Sequence, residues 1–566
     1  SKNFGSAILL LTTFASVFSG YTVVGVPNEA GNNGFTTIRW IAGITCIAIS
    51  LVLIFPRIRR LSIVRDYESP GDFITDRYRS ISIKLLVVFC LCIPQLLYFA
   101  VQLHSLGSTL SALTSGELNF YWIIVIASAL IFIFEIIGGM RSVGYTDAIQ
   151  AVFMIIVFLI IPIILGVIYG GYTGQIIDPH LFQNGQHCPN SNNNSTGVLS
   201  GCLNYATQPV ISKKFISEQY FLRKPSRITS MNFVLFALSW MSFSLNPHVM
   251  QRAFTAENDY SVKLVLICIA FTPIFCNIPG ILTGISYLSN FPDLKSKYQS
   301  FGAFQAILAV FRDMGGFTGF ISYVALLAAI AGIMSTADSA LIGVSNTVSV
   351  DLFKDWLFKD KPERWTVIVG KVISFLMILI SIGIATGIQK NAEKTGSANY
   401  GAYAVIQQGI LWQAFPAYLL GLYTGVHKYS VLTGLIVGIL ADVIFIALSL
   451  TGSDPFTSID PTLAGLEKSW FAFVAVLLNL LSIAIVQTYI SYATRNNKRI
   501  DSEVVSTIES QSEMQVHLPE YNKRFEGLLT IKKIRDIMEN IDEPLTKYYG
   551  IPVYAALLCV ILPVFH

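Results

Sequence analysis

An apolar stretch in the middle of the chain carries a group of polar side chains. Within ALLAAIAGIMSTADSALIGVSNTVSVDLF, residues 325–353, Ser335, Thr336, Asp338 and Ser339 stand almost side by side. Helical spacing would put Ser335, Asp338 and Ser339 on one face, with Thr336 beside them. Hydroxyl and carboxylate oxygens are hard ligands that can replace the hydration shell of an alkali cation. The group therefore indicates a cation site, although the hydroxyls could instead bond carbonyls of the preceding turn.

A second polar group interrupts the first apolar run, LTTFASVFSGYTVVGVP, residues 11–27. Here Ser19, Gly20, Tyr21 and Thr22 follow one another. A helix break at this point would free backbone carbonyls inside a membrane, which is tolerated only where they line a cavity or meet an ion. Because one helix cannot supply all the ligands of a cation, we expect the break to supply the remaining oxygens.

A third polar interruption lies in FVLFALSWMSFSLNPHVMQR, residues 233–252, where Trp240, Ser244 and Asn246 precede Pro247. The two interrupted segments are the first and sixth apolar runs of the chain. Interrupted segments at corresponding positions of two halves indicate an inverted-repeat transporter with its site at the membrane midplane.

The elements that carry these groups are predicted to be membrane helices. Aliphatic and aromatic residues make up 53% of the 566 residues and charged residues only 13%, whereas a soluble domain is about 25% charged. A spanning helix needs about 20 apolar residues, and alternation typical of an outer-membrane barrel does not recur. The sequence therefore predicts an all-α polytopic membrane protein. The predicted spans are 4–26, 37–55, 83–103, 119–139, 145–170, 230–250, 262–288, 318–349, 366–387, 401–426, 430–450, 469–491 and 550–565.

The basic residues of the loops predict how these helices are oriented. Loop 56–82 carries six arginines, whereas loop 104–118 carries neither Lys nor Arg. The positive-inside rule places loop 56–82 in the cytoplasm, and alternation then puts loop 171–229 outside and loop 492–549 inside. The net charge of +4 indicates orientation in a lipid bilayer rather than binding to nucleic acid.

The long outer loop contains two further signals. Asn193 and Asn194 each begin a glycosylation sequon, which is used only on the outer side of a membrane. Cys188 and Cys202 lie in the same loop, where an oxidising exterior favours a disulfide; two free thiols are the alternative. These signals favour the plasma membrane of a eukaryotic cell.

Four stretches of the chain together resemble the solute:sodium symporter family, which includes the sodium/proline and sodium/glucose symporters. They are GGMRSVGYTDAIQAVFM (138–154), AAIAGIMSTADSALIGVSNTVSVDLF (328–353), PHVMQR (247–252) and FASVFSGYTVVGVP (14–27). The resemblance runs across nearly the whole chain, and the first two stretches are specific in combination.

The resemblance implies a fold of two inverted repeats of five helices, with the first and sixth core helices broken. The transporter core would occupy residues 1–426, with repeats at about 1–170 and 230–426. Accessory helices and a cytoplasmic loop would fill 427–566. Family members usually carry one more helix ahead of the first broken span, so we expect such a helix before residue 1.

The resemblance also implies where sodium would bind, as a transported ion rather than a catalytic cofactor. A principal site would be formed by backbone carbonyls of the first broken helix and by groups on the 318–349 helix. Its ligands would be the carbonyls of Ala15, Phe18 and Gly332 and the hydroxyls of Ser335 and Thr336.

A second sodium site, present in only some family members, would use Asp147, Asp338 and Ser339 together with Ser335. Several members carry Ser where this chain has Asp338, so the number of ions per cycle stays open. Asp147 could alternatively form an interfacial ion pair with Arg141.

The predicted solute site lies beside the first break and is lined by amides and aromatic rings, which suit a small polar organic molecule. Trp412 and Tyr98 could instead be packing residues. Val17 stands where the proline symporter type carries Asp, which argues against proline as the solute. The candidate residues are Ser19, Gly20, Tyr21, Thr22, Gln95, Tyr98, Gln102, Trp240, Ser244, Gln407, Gln408 and Trp412.

Two other functions compete with transport. Some relatives fuse such a bundle to a signalling module, but loop 492–549 is too short for a kinase. A sodium channel would differ by conducting without solute. No nucleophile with a partnered base, metal-spaced cluster or phosphate-binding glycine loop indicates an enzyme, and no obligate protein partner is evident.

Overall fold

The structure, a computed structural model, describes residues 4–33, 37–114, 116–168, 186–187, 203–204, 227–290, 302–357, 362–395, 398–450, 469–497 and 528–539. Nearly all of these residues are helical, as predicted. Among the described residues, nine helices are long and apolar enough to cross a membrane. The number of spans rises to eleven when each of the two bent helix pairs is also taken as one span. The predicted span 550–565 lies outside the described residues.

The described helices follow one another in this order along the chain. They are α1 (Ser6–Val17), α2 (Val26–Asn33), α3 (Arg39–Val64), α4 (Pro70–Tyr78), α5 (Ile81–Leu113), α6 (Phe120–Ile168), α7 (Arg227–Ser239), α8 (Pro247–Thr255), α9 (Asp259–Ile269), α10 (Thr272–Asn290), α11 (Ala303–Met314), α12 (Gly316–Val348), α13 (Glu363–Thr395), α14 (Tyr400–Trp412), α15 (Phe415–Tyr423), α16 (Lys428–Leu450), α17 (Ser469–Asn497) and α18 (Ile531–Glu539). A π-helix at Tyr21–Gly25 precedes α2, a 3₁₀-helix at Trp240–Leu245 precedes α8, and a π-helix at Ser349–Leu357 follows α12.

Large apolar side chains cover the outside of the helices as well as the core. On α6, Ile149, Ile163 and Val167 are 73%, 63% and 79% exposed. In water this surface would be an aggregation hazard, whereas a bilayer covers it without cost. The apolar exterior therefore agrees with a multi-pass membrane protein.

Both predicted helix breaks are present. Helix α1 ends at Val17 and its continuation bends by 53°. The segment Met231–Leu245 meets α8 at a bend of 52°, immediately before Pro247. Proline is favoured at the first turn of a helix because its nitrogen has no hydrogen to donate.

Three predicted spans differ from the structure. Residues 401–426 form two short helices, α14 and α15, separated at Gln413 and Ala414. The described parts of predicted spans 119–139 and 145–170 belong to one helix, α6, which contains candidate spans at Phe120–Ile137 and Val143–Val167. The polar GGMRSVGY segment therefore does not end the helix, since the helical hydrogen bonds satisfy its backbone.

Before α7, the loop predicted to lie outside is described only at one short strand pair, in which Gln186 pairs with Asn204 and His187 with Leu203 in antiparallel fashion. The predicted disulfide residues, Cys188 and Cys202, and the predicted glycosylation sites, Asn193 and Asn194, lie outside the described residues.

Just after α12, the buried carboxylate of Asp351 holds this part of the chain to the beginning of α4. Asp351 accepts hydrogen bonds from Ser69 Oγ at 2.7 Å and from the Gly71 amide at 3.3 Å. Lys84 Nζ lies 3.2 Å from Asp351 Oδ1, and both side chains are fully buried. We call Ser69, Gly71, Lys84 and Asp351 the loop latch.

The short helix α4 is held to the end of α3 by Asp76. Arg65 Nη2 donates to Asp76 Oδ1 at 2.7 Å, and the Tyr67 hydroxyl donates to Asp76 Oδ2 at 2.9 Å. Burial raises the pKa of the Tyr67 phenol well above its ordinary value, so this hydroxyl stays protonated. The same arrangement positions α4, and with it the loop latch.

Candidate functional site

The break after α1 frees two backbone carbonyls. In an unbroken helix the Ser19 amide would bond the Ala15 carbonyl, and the Thr22 amide would bond the Phe18 carbonyl. Instead the Ser19 amide donates to Thr22 Oγ1 at 2.7 Å, and the Thr22 amide donates to the Ser19 carbonyl at 2.9 Å. The carbonyls of Ala15 and Phe18 are thereby left for other partners.

Those two carbonyls meet the hydroxyl of Thr336 on α12. Thr336 Oγ1 lies 3.2 Å from the Ala15 oxygen, 3.3 Å from the Phe18 oxygen and 3.0 Å from the Gly332 oxygen. One hydroxyl hydrogen can serve only one of three carbonyls at a time. Three carbonyl oxygens and one hydroxyl oxygen therefore lie together with only one hydrogen to share among them. An excess of oxygen lone pairs over hydrogens is what a bound cation requires.

Two glycines allow this close approach. A Cβ at Gly332 would lie 2.4 Å from Met154 Sδ and 3.5 Å from the Phe18 oxygen. A Cβ at Gly20 would lie 2.8 Å from Gln102 Oε1, which accepts a hydrogen bond from the Gly20 amide at 2.6 Å. A side chain at Gly332 would displace the Met154 thioether, and one at Gly20 would displace Gln102 from its hydrogen bond to the Gly20 amide.

The predicted ligand Ser335 faces a different group. Ser335 Oγ donates to Asp147 Oδ1 at 2.5 Å, while Asp147 Oδ2 accepts from Thr12 Oγ1 at 2.9 Å and lies 3.3 Å from Ser339 Oγ. Arg252 Nη2 donates to the same Oδ2 at 3.0 Å. We call Thr12, Asp147, Arg252, Ser335 and Ser339 the Asp147 group.

Asp338 does not join the Asp147 group through a hydrogen bond. Its Oδ1 atom is buried without a hydrogen-bond partner in the part of the chain that the structure describes. Of the predicted second sodium site, hydrogen bonds join Asp147, Ser335 and Ser339, and the buried Asp338 oxygen has no hydrogen-bond partner among the described residues. Two helical steps of about 100° from Thr336 direct its side chain away from the break.

Near the break, a cluster of aromatic rings contains several predicted solute residues. Tyr98 stacks on Tyr21 with ring centroids 5.7 Å apart and on His248 at 5.6 Å. Trp240 lies 5.4 Å from Trp40, and all five rings are buried. We call these five residues the aromatic cluster.

Buried polar atoms without partners are the clearest sign of a ligand site near this cluster. A buried donor or acceptor that lacks a partner costs about 1–3 kcal/mol, so such atoms need an explanation. Within the described residues, buried atoms without a hydrogen-bond partner include Tyr21 Oη, Gln95 Oε1, Trp240 Nε1, His248 Nδ1 and Nε2, Gln407 Nε2 and Oε1, and Gln408 Nε2.

Other predicted solute residues have structural partners in the protein. Gln102 Nε2 donates to the Tyr98 carbonyl at 3.3 Å, and Ser244 Oγ donates to the Met241 carbonyl at 3.3 Å. Trp412 packs against Phe473 of α17 at 6.2 Å. The structure thus joins Trp412 to an accessory helix rather than to the aromatic cluster.

Arg252, His248 and Trp40 were not predicted as site residues. Arg252 and His248 are one helical turn apart in PHVMQR, and an ionisable side chain within a predicted span is by itself a functional signal. Nothing local marks Trp40, because its role depends on packing between α3 and the 3₁₀-helix.

Comparison with known proteins identifies the family of this chain. The model of the Sodium:solute symporter family matches residues 1–438. The sodium/proline symporter of Salmonella typhimurium (strain LT2) is 25% identical over 488 residues, covering 80% of this chain and 87% of that protein. That of Escherichia coli (strain K12) is 24% identical over 489 residues, with the same coverage.

A solved structure shares the fold. It is described as the substrate-bound outward-open state of a Na⁺-coupled sialic acid symporter, with a TM-score of 0.60 and 17% identity. The match covers 86% of this chain and 90% of that one. The relatives are transporters rather than enzymes, which agrees with the prediction that sodium is a transported ion and not a catalytic cofactor. The breadth of the family match, together with the convergence at Thr336, shows that this chain belongs to the sodium:solute symporter family.

Proposed function

We propose that this chain couples sodium entry to the uptake of a small polar organic solute by alternating access. The observation that carries the proposal is the convergence of the Ala15, Phe18 and Gly332 carbonyls on the Thr336 hydroxyl, all within 3.3 Å of Thr336 Oγ1. Sodium would be held there between the broken helix and α12.

The position of this site supports a role in conformational coupling. A ligand shifts an equilibrium only by its different affinity for the two states. An ion shared between the break after α1 and α12 stabilises the state in which the two are close, and it is released when α12 moves away. Solute binding at the neighbouring aromatic cluster would then decide when that movement occurs.

The aromatic cluster and the buried unpartnered amides support the proposed solute class. Gln407 offers a donor and an acceptor, His248 offers both ring nitrogens, and Trp240 offers one donor. A solute with several hydroxyl, amide or zwitterionic groups would satisfy these atoms while the rings of Tyr21 and Tyr98 cover its apolar face. The named relatives make sialic acid and proline the first solutes to test, and we expect proline to fail because Val17 stands where the proline symporter type carries Asp.

The membrane in which the protein works is a separate proposal. The sequons at Asn193 and Asn194 favour a eukaryotic plasma membrane. The named relatives are bacterial and give that location no support. Digestion of the native protein with a glycosidase, followed by a mobility measurement, would test it.

The proposed function can be tested with purified protein in liposomes. A panel of radiolabelled amino acids, sugars, sialic acid and monocarboxylates would be offered under an inward sodium gradient. Sodium would then be replaced by lithium, potassium or a proton gradient. We expect one class of solute to accumulate only with sodium. Sodium flux that continues without any solute would contradict coupling and indicate a channel.

A further inference from the structure

A buried carboxyl group lies in helix α16, outside the sites described above. Asp442 stands within the candidate span Lys428–Leu448 and is only 1% exposed. Its Oδ2 atom has no hydrogen-bond partner in the part of the chain that the structure describes. The residue lies beyond residues 1–438, the part of the chain that the family model matches. An ionisable side chain inside a membrane span is by itself a functional signal.

The carboxyl group of Asp442 lies against the backbone of α14. A Cβ at Gly409 would lie 3.2 Å from Asp442 Oδ1 and 3.3 Å from Oδ2, so α14 meets the acid without a side chain. Gly434 and Gly438 precede Asp442 at intervals of four residues and share its face of α16. A Cβ at Gly438 would lie 2.8 Å from Asn479 Cβ. The glycines thus allow α14 and α17 to enclose the acid.

No positive charge compensates Asp442 within the described residues. Burial is the one influence that its surroundings exert on it there. On α5, Lys84 pairs with Asp351, and Cys90 lies within electrostatic range of Asp442 as a buried thiol, which is neutral at neutral pH. Lys428 begins the same helix, about 20 Å away along the axis at the usual helical rise.

These surroundings suit a neutral carboxyl group and not a carboxylate. A buried carboxylate without a counter-charge is so costly that the group takes up a proton instead. The neutral form can stay in dry contact with Gly409, whereas the ionised form needs water, which enters only when α14 and α16 separate. A proton on Asp442 therefore has a different affinity for the two positions of α14, as a ligand that shifts an equilibrium must have.

Helix α14 connects this acid to the candidate solute site. Gln407 and Gln408 directly precede Gly409 and have buried polar atoms without partners among the described residues. At the beginning of α14, the ring of Tyr400 meets Tyr21 of the aromatic cluster edge to face at 6.5 Å. A movement of α14 away from α16 would therefore change both contacts of the solute site.

We propose that Asp442 is a proton-binding site that links the packing of α14 on α16 to pH. The bound proton keeps α14 against the aromatic cluster, and its loss releases α14 and weakens solute binding. The proton here is a regulatory ligand, distinct from the transported sodium ion. The effect on solute binding rests on the proposed function, whereas the proton site itself does not.

The first test detects the proton by infrared spectroscopy of purified full-length protein without solute. The spectrum of Asp442→Asn is subtracted from that of the wild type at neutral pH, so bands of other acids cancel. We expect the carbonyl band of a protonated carboxyl group, shifted in D₂O; carboxylate bands alone would overturn the proposal. Asp442→Leu replaces the amide variant if that variant does not fold. Asp313→Asn is the matched control, since Asp313 is 36% exposed and pairs with Arg312, and its difference spectrum should show a carboxylate.

The second test follows thermal unfolding as a function of pH. A carboxyl group that is neutral in the folded state and ionised in the unfolded state gives the folded state more bound protons at neutral pH. Stability then falls as the pH rises. We expect the Tm of the wild type to fall more steeply towards alkaline pH than the Tm of Asp442→Asn. An equal pH dependence in the two proteins would overturn the proton site.

The third test measures uptake in liposomes at saturating sodium, with the solute that accumulates in the panel described above. The KM of the wild type should rise with pH, by up to about tenfold per pH unit for one proton. In Asp442→Asn the KM should keep its acidic value at every pH. A KM that does not change with pH in the wild type, or an unchanged pH profile in the variant, would overturn the link to α14. Absence of any sodium-dependent uptake would overturn the proposed function, and infrared and unfolding data would still decide the proton site.

Discussion

At the scale of single residues, neighbouring side chains of α12 serve different groups. The Thr336 hydroxyl lies at the freed carbonyls of Ala15 and Phe18, whereas the Ser335 hydroxyl donates to Asp147 at 2.5 Å. A helix turns by about 100° per residue, so adjacent hydroxyls point to different neighbours. Removing one of them therefore has a different consequence from removing the other.

Thr336→Ala should raise the sodium concentration for half-maximal uptake about tenfold or more, equivalent to about 1.4 kcal/mol of lost binding. The reason is the loss of a hydroxyl ligand from a site of four oxygens. Sodium titration of uptake measures the effect. Thr336→Ser should retain wild-type affinity, and Thr347→Ala, which only loses a bond to the Gly343 carbonyl, is the matched control. An unchanged sodium dependence in Thr336→Ala would contradict the site.

Gln407→Leu should impair solute binding without lowering stability. Both polar side-chain atoms of Gln407 are buried without partners among the described residues, so the protein loses no internal hydrogen bond. We expect the KM for the solute to rise about tenfold, the effect of losing about 1.4 kcal/mol, while Tm stays the same or rises.

Gln413→Leu provides the contrast. Gln413 Nε2 donates to the Gly409 carbonyl at 3.2 Å, and Asn479 Nδ2 lies 3.4 Å from Gln413 Oε1. This variant should lower stability by about 1–3 kcal/mol, because buried partners are left unpaired. Thermal unfolding and uptake kinetics measured on both variants check the pair of expectations. Wild-type KM in Gln407→Leu would rule Gln407 out as a solute residue.

At the scale of helices, α12 contacts the first break through Thr336, and the loop latch holds the segment that follows α12 to α4 and α5. The bends of 53° and 52° occur where Gly20 and Pro247 stand, and local chemistry explains both. Local chemistry does not explain the loop latch, because the latch joins Lys84 and Asp351, which are far apart in sequence. A buried ion pair gives little net stability, but removing one partner is costly.

Asp351→Asn or Lys84→Met should each destabilise the protein by about 3–5 kcal/mol, because one buried charge loses its counter-charge. The double variant should be more stable than either single variant. Thermal unfolding measures all three. Lys354→Met serves as the control, because Lys354 and Glu68 are 38% and 45% exposed and such a surface pair contributes about 0–1 kcal/mol. Additive losses in the double variant would show that the pair is not coupled.

At the scale of the whole molecule, the exposed apolar side chains place the bundle in a bilayer, where the membrane potential acts on transported charge. One elementary charge crossing 100 mV gains about 2.3 kcal/mol. A transporter that carries one sodium ion with a neutral solute is therefore driven by the potential as well as by the sodium gradient.

An inside-negative potential of about 100 mV should raise the accumulation of a neutral or zwitterionic solute about 50-fold at equilibrium, from the charge energy given above. Two sodium ions per solute would square this factor. The measurement is solute accumulation in liposomes whose potential is set by a potassium ionophore, with the ionophore omitted as the control. Solute accumulation that does not change with the membrane potential would contradict net movement of charge with the solute.

The sequence by itself determined the features that follow from local chemistry. Runs of apolar residues predicted the membrane helices, because a spanning helix must satisfy its own backbone in lipid. Gly20 and Pro247 predicted the breaks, and Ser335, Thr336 and Asp338 indicated which helix carries the proposed ion site. The family resemblance added the pairing of Ala15 and Phe18 with Gly332 and Thr336, and the structure brings those atoms together.

Only the tertiary structure decided which neighbours each polar group meets. Composition cannot show that Arg252 and Asp147, 105 residues apart, are partners, or that Trp412 packs on α17. These contacts depend on how helices distant in sequence pack, and the rotation of one helix by a single residue would exchange them. The chemistry of a residue follows from its own type, whereas the opposite charge that pairs with it comes from a helix distant in sequence.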